Sequence, residues 1–183
     1  MDAYLETERL RLRRFTGDDL ELLAALDSDP EVMRFLTGQP TSRDEVGSVV
    51  LPRILEGYAA HPQLGTFKAE APEGFIGWFG LQPTAEPRTV DVGYRLNRAA
   101  WGKGYATEGT RALIAKAFTE LGMERVVADT MAVNHRSRDV MRRSGLRFEK
   151  LWHEHFDDPL PGTEFGEVLY ALDRATWEAD AHE

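Results

Sequence analysis

Val90-Asp-Val-Gly-Tyr-Arg-Leu-Asn-Arg-Ala-Ala-Trp-Gly-Lys-Gly-Tyr-Ala-Thr-Glu108 is the stretch on which the reading of this chain turns. Val90, Val92, Tyr94 and Leu96 alternate with other residues, the pattern of a strand with one buried face. A loop with Gly102 and Gly104 follows. A helix is predicted from Ala106 to Leu121, with Gly109, Leu113, Ala117, Phe118 and Leu121 on one side and Gly122 as its stop. Loop glycines leave amide groups exposed, and the first helical turn adds amides without internal acceptors at the positive end of the dipole. Together they form an anion site suited to a phosphate or pyrophosphate, and Lys103 adds a charge nearby. A dinucleotide fingerprint would need Gly or Ala where Thr107 stands, and a P-loop would need Ser or Thr where Gly104 follows Lys103. Both fail. Spacing alone leaves a plain strand–turn–helix joint as an open alternative.

Outward from this segment, Arg9 to Arg13 reads as a strand with Leu10 and Leu12 on one face. Thr16 to Asp19 reads as a capping box before Leu20, Leu22, Leu23 and Leu26. Asp29-Pro30 starts another short helix. Ser42 and Glu45 cap a stripe of Val46, Val49, Val50, Ile54 and Leu55, which Pro52 should kink or interrupt. Strands are predicted at Thr66–Glu70, Phe75–Leu81, Arg125–Met131, Leu146–Trp152 and Glu164–Leu172. A helix is predicted at His135–Ser144, closed by Gly145. Clustered antiparallel strands joined to strand–helix–strand units indicate an α/β or α+β sheet flanked by helices. No linker or repeat divides the chain, so residues 1–183 are expected to form a single domain.

The 183 residues carry 31 acidic against 22 basic side chains, a formal net charge of -9, the opposite of a nucleic-acid backbone binder. An acidic surface favours cationic partners, amines among them. Cysteine is absent, which excludes disulfides, thiolate metal sites and a cysteine nucleophile. No signal peptide or membrane-length apolar run is visible, so a cytoplasmic protein without a membrane or nucleic-acid partner is expected.

The stretch Trp101-Gly-Lys-Gly-Tyr-Ala-Thr-Glu108 after Val92-Gly-Tyr-Arg-Leu96 resembles the acetyl-CoA signature of the GNAT acetyltransferases, and most of all their ribosomal-protein N-acetyltransferase type. Four further segments are similar in the same order: Leu5 to Arg13, Gly77 to Leu81, Val133 to Phe148, and Val168 to Leu172. The resemblance implies the GNAT fold, a mixed and mostly antiparallel central sheet flanked by helices. It implies acetyl-CoA as cosubstrate without a metal and a primary-amine acceptor, either a protein N-terminus or a small molecule, and it is compatible with a homodimer. It implies a pantetheine arm along the backbone of Tyr94, Arg95 and Leu96, and a pyrophosphate held by the Trp101, Gly102, Lys103, Gly104, Tyr105, Ala106 and Thr107 loop. Asn134 and Ser137 would stand near the thiol. Two positions depart from the family: Trp101 replaces its usual Gln or Arg, and Met141 stands where many relatives carry a proton-donating tyrosine.

Acetyl transfer needs a base for the ammonium and a donor for the departing thiolate. Ser137 is the candidate donor, with helix capping as its mundane role. Asp91 and Glu154 are candidate bases; either is equally readable as a solvated or paired carboxylate. His153 and His155, with Asp157 and Asp158 near, form a pattern that could take a metal, but the resemblance implies none. An imidazole titrates in the neutral range, which adds His155 to the candidate bases. Tyr170, Trp78 and Phe79 read as core positions. The acceptor pocket is expected between the Asp29–Tyr58 helices and the Trp152–Phe165 loop. A non-catalytic acetyl-CoA sensor is the alternative.

Overall fold

The computed structural model describes residues 3–180; the remainder of the expected 1–183 domain lies outside them. Eight strands form one sheet: β1 (Leu5–Glu6), β2 (Arg11–Arg14), β3 (Gly65–Ala71), β4 (Gly74–Pro83), β5 (Thr89–Leu96), β6 (Arg125–Met131), β7 (Arg147–Trp152) and β8 (Glu167–Asp173). Their spatial order is β1-β2-β3-β4-β5-β6-β8-β7, and every neighbouring pair is antiparallel except β5–β6. That exception follows from the connection. The helix α5 (Tyr105–Thr119) carries the chain from β5 to β6 and returns it in the same direction.

Helices cover both faces. The face holding α1 (Leu20–Asp27), α2 (Pro30–Met33), α3 (Arg43–Glu45) and α4 (Leu51–Ala60) buries Phe15, Leu23, Leu26, Val46 and Leu51 against Phe75 and Trp78. On the other face, α5 sinks Leu113, Ile114, Ala117 and Phe118 onto Val90, Val92, Val126 and Ala128 beside α6 (His135–Arg143). Each fully buried Leu, Ile or Phe side chain contributes about 1.5–3 kcal/mol, so this apolar stripe locks the helix to the sheet. Gly109 sets how close α5 comes, because a methyl group there would overlap the Phe79 ring.

Four local expectations change in the fold. The strand expected at Arg9–Arg13 starts only at Arg11, as β2; a separate strand, β1, precedes it, and Thr7 to Leu10 forms the turn between them, with the Thr7 amide donating to the Leu10 carbonyl (2.9 Å). Pro52 does not break its helix. A π turn over Val46–Val50 precedes it, and widening the helix there accommodates the missing amide donor. The last strand starts at Glu167 and not Glu164, because Thr163–Phe165 forms a 3₁₀ turn. A closing helix, α7 (Arg174–Asp180), lies beyond the predicted elements. It is too short to show periodicity, and Trp177 docks it on Phe118 with ring centres 5.4 Å apart.

Candidate active site

The parallel strands β5 and β6 pair only over Thr89–Asp91 and Arg125–Val127. Past Asp91, β5 stays with β4 through Leu96, while β6 stays with β8 through Met131. The two central strands part, and the β5 edge from Val92 to Leu96 faces an open slot. An unpaired strand edge offers amides and carbonyls to an extended ligand. This is the edge expected to take a pantetheine arm at Tyr94, Arg95 and Leu96. The Leu96 carbonyl is already engaged: the Trp101 indole N–H donates to it at 2.9 Å. Trp101 therefore closes the loop onto the end of β5, and Arg136 stacks over its ring at 5.1 Å.

Gly102 and Gly104 have φ of +73° and +83°. An added Cβ at Gly102 would meet nothing, so glycine is favoured there by the backbone conformation and not by crowding. Gly104 caps α5 without any side-chain bond to the first turn. The amides of Tyr105, Ala106 and Thr107 are thus left without a side-chain acceptor at the positive end of a long helix, which fits a pyrophosphate. Lys103 points elsewhere: its Nζ lies 3.1 Å from Glu73 Oε1, and the Tyr105 hydroxyl donates to Glu73 Oε2 at 2.9 Å.

Side chains alternate along β5, so Asp91 and Tyr94 lie on opposite faces. Tyr94 packs its ring 5.9 Å from that of Phe79, toward α5, and its phenol hydrogen-bonds the Ser137 hydroxyl on α6. Burial holds the phenol above its usual range despite that bond. The α6 cap is Asn134 and not Ser137. The Asn134 side chain accepts from the Ser137 amide at 3.3 Å and donates to Thr130 Oγ1 at 3.1 Å. Relieved of capping, the Ser137 hydroxyl sits in the first turn of α6. Met141 is buried in the core.

Asp91 stands where the strands part, on the face of Arg95. Burial chiefly, and then the charge and hydrogen bond of Asp129, raise its carboxyl to about 7. Glu167 is raised by burial and by the charges of Asp129 and Glu154. The fold thus sets Asp91, Asp129, Glu167 and Glu154 in succession along the β6 side of the slot. Glu154 also accepts the Trp152 indole N–H at 2.9 Å. His155 stands apart, 92% exposed and 3.7 Å from an equally exposed Asp157. Among the described residues no group of three or more His, Asp or Glu side chains is arranged to hold a metal.

On the Asp91 face, Arg95 Nη1 meets the buried Asp27 Oδ1 at 2.6 Å, and Arg98 Nε meets Asp29 Oδ2 at 2.6 Å. Leu160 seats on Gly38 and Gly162 on Val133, so the Trp152–Phe165 loop spans from the α2–α3 connection to the start of α6. The two segments expected to line an acceptor pocket therefore meet.

Sequence reasoning missed Asp129, the Tyr94 phenol, and the pairing of Arg9 with Glu108. The Glu108 carboxylate receives the Thr7 hydroxyl (2.6 Å), the Arg9 amide (2.9 Å) and Arg9 Nε (2.7 Å), and lies 2.6 Å from Arg9 Nη2. Thr7, Arg9 and Glu108 all fall inside the segments that carry the family resemblance, which is the one signal that pointed at them.

Comparison with known proteins identifies the family. The acetyltransferase (GNAT) domain profile matches residues 9–147. The chain is 36% identical over 182 residues to the FsC-acetyl coenzyme A-N(2)-transacetylase of Aspergillus fumigatus, covering 94% of this chain and 77% of that one. In fold it is similar to a spermidine N-acetyltransferase from Vibrio cholerae solved with CoA and spermine (TM-score 0.75, 18% identity, 94% and 99% covered). A ribosomal alpha-N-protein acetyltransferase solved with coenzyme A is similar as well (TM-score 0.78, 19% identity, 96% and 99% covered). At these identities the two structures speak for the fold alone. No helix among the described residues is long and apolar enough to cross a membrane. The chain belongs to the GNAT family, and the protein is an acetyl-CoA-dependent N-acetyltransferase.

Proposed function

We propose that the protein passes acetyl from acetyl-CoA directly to a primary amine on a small molecule, with Asp91 as general base and Ser137 as proton donor to the leaving sulfur. The observation that carries this reading is the parting of β5 and β6 immediately past Asp91, with Asp91 on one face of the strand and Tyr94 with Ser137 on the other. An acceptor entering from the α1–α2 face meets the base; a thioester lying in the slot from the α5–α6 face meets the donor.

Acetyl-CoA supplies an activated thioester when bound. The glycine loop and the first turn of α5 hold its pyrophosphate, and the open β5 edge aligns its arm. An amine arrives protonated at neutral pH and must lose a proton before it attacks. An ordinary aspartate is too weak a base for this, whereas one raised to about 7 exchanges protons efficiently near neutrality. The surrounding Asp129, Glu167 and Glu154 make the entrance attractive to a cation. At the other end, the Ser137 hydroxyl donates to the Tyr94 phenol oxygen, and burial keeps the phenol protonated. Turning that O–H from the phenol to the sulfur supplies the proton, and the protonated phenol then donates to the serine oxygen, which strengthens the serine as a donor. The N-terminal end of α6 favours the negative charge that develops there. His155, out in solvent, has no part in this scheme.

The small-molecule acceptor is supported by the name of the 36%-identical relative, a transacetylase of an N(2) position. The test is calorimetry with acetyl-CoA followed by thiol release from the same sample, against small amines and N-terminal peptides. Amine-dependent release, lost in Asp91→Asn, is the expected result. Binding without release from any acceptor would favour the sensor alternative, and peptides outperforming every small amine would reverse the acceptor assignment.

A further inference from the structure

The turn between β1 and β2 reaches the phosphate loop through one side chain that the chemistry does not use. The Arg9 guanidinium carbon lies over the Tyr105 ring, 4.5 Å from its centre, its Nε and Nη2 grip Glu108, and its Nη1 donates to the Lys103 carbonyl at 2.8 Å. A peptide unit is planar and trans, so its C=O and N–H point in opposite directions. Anchoring the Lys103 carbonyl on Arg9 therefore aims the next amide, that of Gly104, away from Arg9 and out of the loop. Glycine is the residue least able to hold that orientation unaided, because its backbone is the freest. Gly104, which supplies the amide of this peptide, and Gly102, on the other side of Lys103, both have positive φ. Glu73 secures the other side of the loop by holding both Lys103 and Tyr105.

We propose that Arg9, locked by Glu108, is a positioning residue for acetyl-CoA: it presets the Lys103–Gly104 peptide so that the loop amides face the pyrophosphate before the ligand arrives. The inference rests on the acetyl-CoA reading of the loop. Arg9 acts through the loop and not on the phosphate, since a carboxylate already balances its charge and three of its N–H groups are engaged. A second role must be told apart from this one. Arg9 also borders a surface cavity of about 730 Å³ with Thr107, Arg111 and Arg143, where a further phosphate on the ligand would find positive charge.

The test is Arg9→Lys, with Glu108→Gln as a milder second variant should the first fold poorly. Lysine keeps the charge but cannot bridge a carboxylate and a carbonyl with one planar fork. Calorimetry with CoA and with dephospho-CoA (which lacks the 3′-phosphate) gives Kd, and thiol release at saturating acetyl-CoA gives kcat. Ordering a peptide unit on binding that was ordered beforehand should weaken Kd about tenfold. That loss should be equal for the two ligands, with kcat at saturation within about threefold of the parent, a split that general destabilisation would not produce. An unchanged Kd would overturn the proposal. So would a loss confined to CoA, which would make Arg9 a direct ligand of the 3′-phosphate, and so would a collapse of kcat. Parent protein that binds no CoA at all would instead refute the loop reading itself.

Discussion

Replacing Asp129 by asparagine should move the acid limb of the kcat profile to lower pH without abolishing turnover. Asp91 rises from 3.8 to about 7, and three causes act in the same direction: burial, which is the largest, then the Asp129 charge and the Asp129 hydrogen bond. Burial remains in the variant while both Asp129 causes are removed, so the carboxyl should return only part of the way toward 3.8. The limb should therefore fall by about 1 pH unit, which corresponds to about 1.36 kcal/mol of differential stabilisation. An asparagine amide that donates to the Asp91 carboxylate pushes the same way. The assay is thiol release at saturating amine and acetyl-CoA across pH 4–9. kcat and not kcat/KM is the quantity to follow, because kcat/KM also titrates the free amine. Stability offers an independent readout. The folded state keeps the Asp91 proton up to about 7, whereas an unfolded aspartate loses it near 3.8. The contribution of this group is therefore full below the lower value and lost as pH rises through the upper one. Asp129→Asn should flatten that slope between the two values. An acid limb that stays in place in the variant, with the parent limb near 7, would refute Asp91 as the base.

Ser137→Ala should lower kcat about 10- to 100-fold with little change in acetyl-CoA affinity. It should barely alter thermal stability, because Asn134 carries the cap. Gly109→Ala should destabilise by about 1–3 kcal/mol in urea unfolding, because the new methyl meets the Phe79 ring in a packed core. Asp27→Ala should cost about 3–5 kcal/mol by the same measurement, since it strands the Arg95 charge beneath α1.

Read alone, the chain made its elements legible wherever the governing forces are local. The alternation in β5, the glycines after it and the apolar stripe of α5 each depend on neighbours a few residues away, and those elements stand where they were predicted. Where two local preferences compete, the reading slipped. Leu10 and Leu12 look like a single strand, although the Thr7 hydroxyl, 2.9 Å from the Leu10 amide, folds Thr7 to Leu10 into a turn. Pro52 looked like a break, although a wider turn upstream absorbs it.

The sequence by itself determined the sheet-and-helix architecture, a glycine loop suited to an anion, and a short list of candidate bases and donors. Only the tertiary structure ranked that list. Asp91 stands out because β6 brings Asp129 beside it at the point where the strands separate. His155 recedes because its loop leaves it in water, and Ser137 gains a partner because β5 presents the Tyr94 phenol to α6. Arg9 and Glu108 meet across almost a hundred residues of chain. The physical reason is common to all of them. Periodicity and backbone preference act along the chain, whereas a carboxyl's proton affinity and a guanidinium's grip depend on distances through space, which strand order and register set.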